Sequence, residues 1–207
     1  MSARPSATSP GHTRRRIRAS ALCAVAVVGA GCGYRVTPPS AVREPVSVFV
    51  LKYDPHASLV LPAEDGGAVE FAYGQWDWFA LDQGHWYRAL PVLLIPGRAG
   101  LGTRSIGLPA TRPALELLQG RGNTLEIAVE RSRVEALRAD LSRRFQPPAR
   151  TTRNPRLGLE FVPDPQPYSV LYHCNSRVAD WLRALGCHVT GLGPTADFRL
   201  SDAPRSH

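Results

Sequence analysis

"VSVFVLKYDPHASLVLPAEDGGAVEFAY", residues 46–73, decides the fold. Three apolar, β-branched runs, VSVFVLKY (46–53), ASLVLP (57–62) and AVEFAY (68–73), are separated by the turn-forming DPH and EDGG. Short runs with such tight connections predict an antiparallel meander. Beyond it, GQWDWFALDQGHWYRAL (74–90) reads as a short helix plus loop, and PVLLIP (91–96) and NTLEIAVE (123–130) as strands. TRPALELLQG (111–120) is helical up to Gly120. SRVEALRADLSRRF (132–145) has Ser132 and Glu135 in capping-box spacing, and Val134, Leu137, Leu141 and Phe145 along one face, which predicts a helix. QPPARTTRNP (146–155) is a loop, and LGLEFVP (157–163) is compatible with a strand or an aromatic loop. The glycines of GRAGLGTRSIG (97–107) lack the strand-to-helix setting of a phosphate loop. The expectation is one α+β domain over residues 46–200, an antiparallel sheet packed with helices, followed by a disordered tail at 201–207.

The formal charge of +8 is misleading until it is located. Arg4, Arg14, Arg15, Arg16 and Arg18 stand in the first 31 residues without a single acid, leaving +3 for the rest. So small and scattered an excess excludes a nucleic-acid partner. The same segment has the layout of an export signal: the basic RRRIR, the apolar run Ala21–Val28, then small residues before Cys32. The run is shorter than the ~20 residues that span a bilayer. Gly29, Ala30 and Gly31 before Cys32 resemble a lipobox, which implies lipid attachment at Cys32. The expected protein is a lipoprotein on the periplasmic side of the bacterial cell envelope. Its proline-rich tether, GYRVTPPSAVREP, would complete the segment 32–45.

SVLYHCNSRVADWLRALGC (169–187) carries the chemistry. An apolar run ends at Cys174, and Val178, Trp181, Leu182 and Leu185 begin a helical pattern that stops at Gly186. Unsatisfied N–H groups at a helix start favour a thiolate. A helix over 175–185 separates Cys174 from Cys187 by roughly 16 Å, against the ~7 Å that a disulfide tolerates, so Cys174 is expected free. His56, opening a strand after the DP turn, is the expected base, and Glu70, a carboxylate inside AVEFAY, its orienting partner. Taken singly, each has a plain structural reading as a core cysteine, a strand cap and a solvent-facing carboxylate. His173 and His85 are weaker bases, and no pair among His56, His85, His173 and Cys174 shows metal-ligand spacing, so no metal or other cofactor is expected. The dense aromatics Tyr73, Trp76, Trp78, Phe79, Trp86 and Tyr87 fit core packing or the wall of a ligand groove equally well. In the second case Tyr73, Trp76 and Asn175 would touch substrate.

Histidine, polar residue and late helix cysteine, in that order, resemble the circularly permuted papain-like pattern of the NlpC-type cell-wall peptidases and lecithin:retinol acyltransferase-like enzymes. The chain also resembles a family of bacterial envelope proteins, some encoded near urease genes, to which no reaction is assigned. Its histidine-strand, "FGWGD"-like and "CNTW"-like segments read here PHASLVLP, VEFAYGQWDWF and HCNSRVADW, within residues 46–190. Ala72 and Tyr73 stand where that pattern has glycine and tryptophan, and Arg177 replaces the late tryptophan. The resemblance implies a permuted papain-like fold and a thiol hydrolase or acyltransferase acting on an amide or ester, with peptidoglycan peptides or lipid esters as substrate classes. A non-catalytic envelope lipoprotein that binds a ligand or serves as an accessory module is the alternative.

Overall fold

A computed structural model of the chain describes residues 33–83 and 95–201. The expected export signal, the Cys32 attachment point, His85, Trp86, Tyr87, most of the 91–96 strand and residues 202–207 lie outside them. The meander forms as expected: β2 (Pro45–Lys52), β3 (Ala57–Pro62) and β4 (Ala68–Gln75) pair antiparallel in sequence order. They are the middle of a seven-stranded antiparallel sheet of order β6-β2-β3-β4-β5-β8-β7, with β5 (Gly97–Ile106), β6 (Thr124–Glu130), β7 (Thr152–Asn154) and β8 (Leu159–Tyr168). The helices are α1 (Trp76–Phe79), α2 (Arg112–Gln119), α3 (Arg131–Arg143) and α4 (Cys174–Ala184). The α+β class with a mainly antiparallel sheet is thus observed. No helix among the described residues is long and apolar enough to cross a membrane.

Both faces of the sheet are covered, which explains why β3 is apolar at nearly every position. On one face Val48, Val50, Leu59, Leu61, Phe71 and Leu101 pack against α3, α4 and a second sheet. The opposite face is divided. Phe49, Leu51, Val60 and Ile106 bury Leu115 of α2, while Phe161 and Leu159 pack with Trp76 and Ala80 at α1. In α3, Val134 and Leu141 are buried, with Leu137 and Phe145 packed beside the same core, as the stripe predicted.

The structure departs from the sequence reading in several places, among them Thr152–Asn154, expected within a loop and here the edge strand β7. Gly33–Thr37, expected as tether, is β1, the middle strand of a three-stranded sheet between β10 (Phe198–Leu200) and β9 (His188–Leu192). Alternating burial of Tyr34 and Val36 supplies the reason. Residues 97–106 are an interior strand, because Gly100 and Gly102 admit the aromatic rings laid on them. A Cβ on Gly102 would stand 2.6 Å from Phe161. Ser132 is not the cap of α3: β6 runs directly into the helix, and Glu130 holds the N-cap position. Its carboxylate accepts from the Arg43 and Glu44 amides instead of capping the helix. Finally, Val170–Tyr172 form a turn rather than continue β8, with Leu171 exposed.

Candidate functional site

The site sits where the start of β3 meets the start of α4. The peptide unit before β3 is turned by Tyr53 N–H donating to His56 C=O, which places His56 one residue ahead of the first paired strand residue. Gly186, at φ 92, ends α4's following turn, and β9 then runs back along the helix. Val178, Ala179, Leu182 and Leu185 press the helix onto the sheet. Residues 118 apart in sequence thereby meet: His56 Nδ1 lies 3.1 Å from Cys174 Sγ. Both cysteines among the described residues, Cys174 and Cys187, are free and buried, as helix geometry required.

The Ala57 and Asn175 backbone N–H groups and the Tyr168 hydroxyl around the sulfur draw the thiol toward ionisation. The Asn175 amide belongs to the first turn of α4, whose cap residue His173 provides no side-chain hydrogen bond, so it remains available. These contacts favour thiolate, yet burial outweighs them and pushes the Cys174 thiol above its ordinary range. Burial likewise lowers the His56 imidazole, with His173 adding to the lowering and Asp54 opposing it. His173 is itself lowered by burial. The resting pair is a neutral thiol beside a neutral imidazole; the sulfur lies 3.1 Å from Nδ1, and the thiol also reaches Asn175 Oδ1 at 3.6 Å. Burial also raises the Tyr168 hydroxyl, which therefore keeps its proton near the sulfur. The His56 ring is steadied by the Phe79 edge, 4.8 Å between centroids.

The structure does not bring Glu70 to His56. In β4, Phe71 and Tyr73 face α4 while Ala68 and Glu70 face the other way. There the buried carboxylate accepts from Tyr53 Oη (2.7 Å) and Ser58 Oγ (2.5 Å) and pairs with Arg104 Nε at 2.6 Å. Among the described residues, no side chain takes its place on the second ring nitrogen. Tyr73 and Trp76, expected at substrate, are buried in different cores. The Tyr73 hydroxyl donates to Gln166 C=O and its ring lies 5.9 Å from that of Tyr168, supporting the tyrosine behind the sulfur. Trp76 packs against Phe161 beneath Arg98.

Asn175 Oδ1 lies 3.6 Å from the Cys174 sulfur. Fully buried, the Asn175 amide donates to Pro55 C=O at 2.9 Å and Pro194 C=O at 3.1 Å, tying the His56 turn and the loop after β9 to the helix start. Arg177 forks between Asp164, shared with Arg144, and the Tyr172 hydroxyl, anchoring α4 to β8. Sequence reasoning missed Tyr168, which ends β8 six residues before the cysteine and carried no motif of its own. No group of three potential metal ligands occurs among the described residues.

A buried thiol and a half-buried imidazole, held between strand start and helix start, therefore define the site. Comparison with family models, curated proteins and solved structures returned no match to this chain.

Proposed function

We propose that the protein is a membrane-anchored envelope lipoprotein whose domain, of permuted papain-like architecture, is a thiol hydrolase or acyltransferase for an amide or ester of a cell-envelope substrate. One observation carries this reading: the 3.1 Å approach of His56 Nδ1 to Cys174 Sγ at the amino end of an eleven-residue helix. The order histidine, then cysteine, and the resemblance of residues 46–190 to envelope proteins support the architecture. The signal-like segment before Cys32 supports the anchor.

In the reaction Cys174 Sγ attacks the carbonyl carbon while its proton passes to Nδ1 of His56. The carbonyl oxygen becomes an oxyanion, for which the uncapped N–H groups in the first turn of α4 would be the donors. Collapse breaks the C–O or C–N bond, the leaving group takes the proton from His56, and a thioester remains. Water, or an acceptor alcohol or amine, then attacks that thioester and gives a proton to His56. The thiolate departs and regains the proton.

Alkylation of the protein with iodoacetamide across pH tests the proposal. Cys174 should react in the wild type at neutral pH, and His56→Ala should abolish that reaction while leaving Cys187 slow, its thiol being raised to about 11 by burial. A Cys174 that reacts no faster than Cys187, or one indifferent to His56→Ala, would sink the hydrolase. A non-catalytic binding module is the second reading. It is favoured by the diversion of Glu70 into its network with Tyr53, Ser58 and Arg104.

A further inference from the structure

Around the site, exposed leucines stand at the same end of the molecule as the point where the chain enters its fold. Helix α4, eleven residues long, covers about 15 Å, and β9 returns antiparallel to it over about 13 Å, so the end of β9 comes back to the start of the helix. Asn175 Nδ2 on Pro194 C=O closes that end at 3.1 Å. Gly33 is the cross-strand partner of Leu192, and the next residue, Tyr34, meets Ser176 Oγ at 3.4 Å. Ser176 in turn reaches back toward Leu171 C=O. Gly33, Leu192, Leu171 and the first turn of α4 are therefore neighbours.

Leu171 is 87% exposed, Leu192 75%, and Val170 is exposed beside them. Val170 and Leu171 precede Cys174 by four and three residues, Leu192 pairs with Gly33, and Gly33 is bonded to Cys32, the residue with the lipobox-like sequence before it. With β1 beginning at Gly33, no spacer separates that attachment point from the sheet. A lipid on Cys32 would hold this end of the domain, and not its far side, against the bilayer.

We propose that the Val170, Leu171 and Leu192 face rests on the membrane that the anchor enters, and that it delivers acyl esters of membrane lipids to Cys174. The assignment rests on the hydrolase reading for its chemistry and on the position of Gly33 for its geometry. It commits to a lipid acyl ester over a peptidoglycan amide, because an anchor at the Cys174 end of the domain would bring that end to the headgroup region and acyl carbonyls first. Cleavage would transfer the acyl group to Cys174 Sγ with release of the lipid alcohol, and water or an acceptor alcohol would then free the thiol.

The test uses the full chain reconstituted in phospholipid vesicles. Leu171→Trp and Leu192→Trp each add a tryptophan at an exposed position, and Leu117→Trp, 83% exposed on α2 across the sheet, is the control. Brominated acyl chains should quench the added emission at 171 and 192 and leave that at 117 unchanged. Equal quenching at all three, or none at 171 and 192, overturns the membrane face whatever the thiol does. Turnover is read on a fluorogenic diacyl phospholipid in the vesicles and on a soluble short-chain thioester. Loss of phospholipid turnover in Leu171→Asp/Leu192→Asp, with thioester turnover retained, supports the delivery role. Retained phospholipid turnover in that variant overturns it. Quenching at 171 and 192 with both substrates untouched overturns the substrate assignment through the hydrolase beneath it.

Discussion

Replacing Asn175 with alanine separates a residue that contacts substrate from one that assembles the site. The side chain is fully buried, and its two donated hydrogen bonds, 2.9 and 3.1 Å, end on the carbonyls of Pro55 and Pro194. Each bond contributes a net ~1 kcal/mol, and a carbonyl stranded away from water costs about 1–3 kcal/mol. Partial access of water to these loops argues for the lower part of the combined range, about 2–4 kcal/mol. For a domain of this size the melting temperature should fall by roughly 5–15 °C. Urea unfolding of wild type, Asn175→Ala and Asn175→Asp reads the loss directly. The aspartate variant should be the less stable of the two, since its carboxylate donates nothing and faces two carbonyl oxygens. Because Pro55 immediately precedes His56, alkylation of Cys174 should slow in both variants under folding conditions. Stability of Asn175→Ala within ~0.5 kcal/mol of wild type, the range of an ordinary surface change, would refute the clamp.

Tyr168→Phe removes the hydroxyl that favours ionisation of the Cys174 thiol while retaining the ring that stacks with Tyr73, so the pH profile of Cys174 alkylation should move to higher pH with little loss of stability. An unmoved profile would take Tyr168 out of the site. Gly102→Ala places a Cβ 2.6 Å from Phe161 and should cost about 1–3 kcal/mol in urea unfolding. Combined with Phe161→Leu, the cost of Gly102→Ala should shrink, and strict additivity in the double-mutant cycle would contradict the close approach. Stability should also depend on pH in two windows. His56 and His173 are lowered from 6.5 by burial, so the unfolded chain takes up protons first and stability declines as pH drops below about 6.5. Cys174 and Cys187 are raised from 9.0, so the unfolded chain loses protons first and stability declines as pH rises above about 9. Denaturation midpoints that are flat from pH 5 to 7 would contradict the buried neutral histidines.

The meander, α3 and the helix after Cys174 were legible because each repeats its burial with the period of its element: three short strands between turns, and stripes at helical spacing. What escaped notice was set by partners far away in the chain. GRAGLGTRSI has few side chains to display a period, and its strand identity follows from Phe161, about sixty residues later, lying over Gly100 and Gly102. GYRVT looks like linker beside the prolines that follow, and becomes a strand because β9 and β10 return on either side of it. Tyr168 stands at the end of a strand with prolines at 163, 165 and 167, which hid both the strand's second half and its aromatic terminus.

The pairing of His56 with Cys174 could be anticipated, whereas the role of Glu70 could not, and the difference is one of strand parity. His56 precedes the first paired residue of β3 and can turn its ring past the sheet end toward α4 and Phe79. Glu70 is paired opposite Val60 in the sheet interior, where alternation commits it to one face. Since β3 is apolar on both faces, its sequence does not reveal which face the helix covers, and the carboxylate could be assigned to either. Tyr53, Ser58 and Arg104 claim it on the far side, where neutralising a buried carboxylate needs both a cation and hydrogen bonds. That network still reaches the site through the backbone: Ser58 and Tyr53 flank the turn that carries His56, and the Tyr53 amide donates to the His56 carbonyl. Glu70 thus braces the histidine's turn from the opposite face of the sheet, and the imidazole's orientation rests on backbone geometry and on Phe79 in place of a carboxylate.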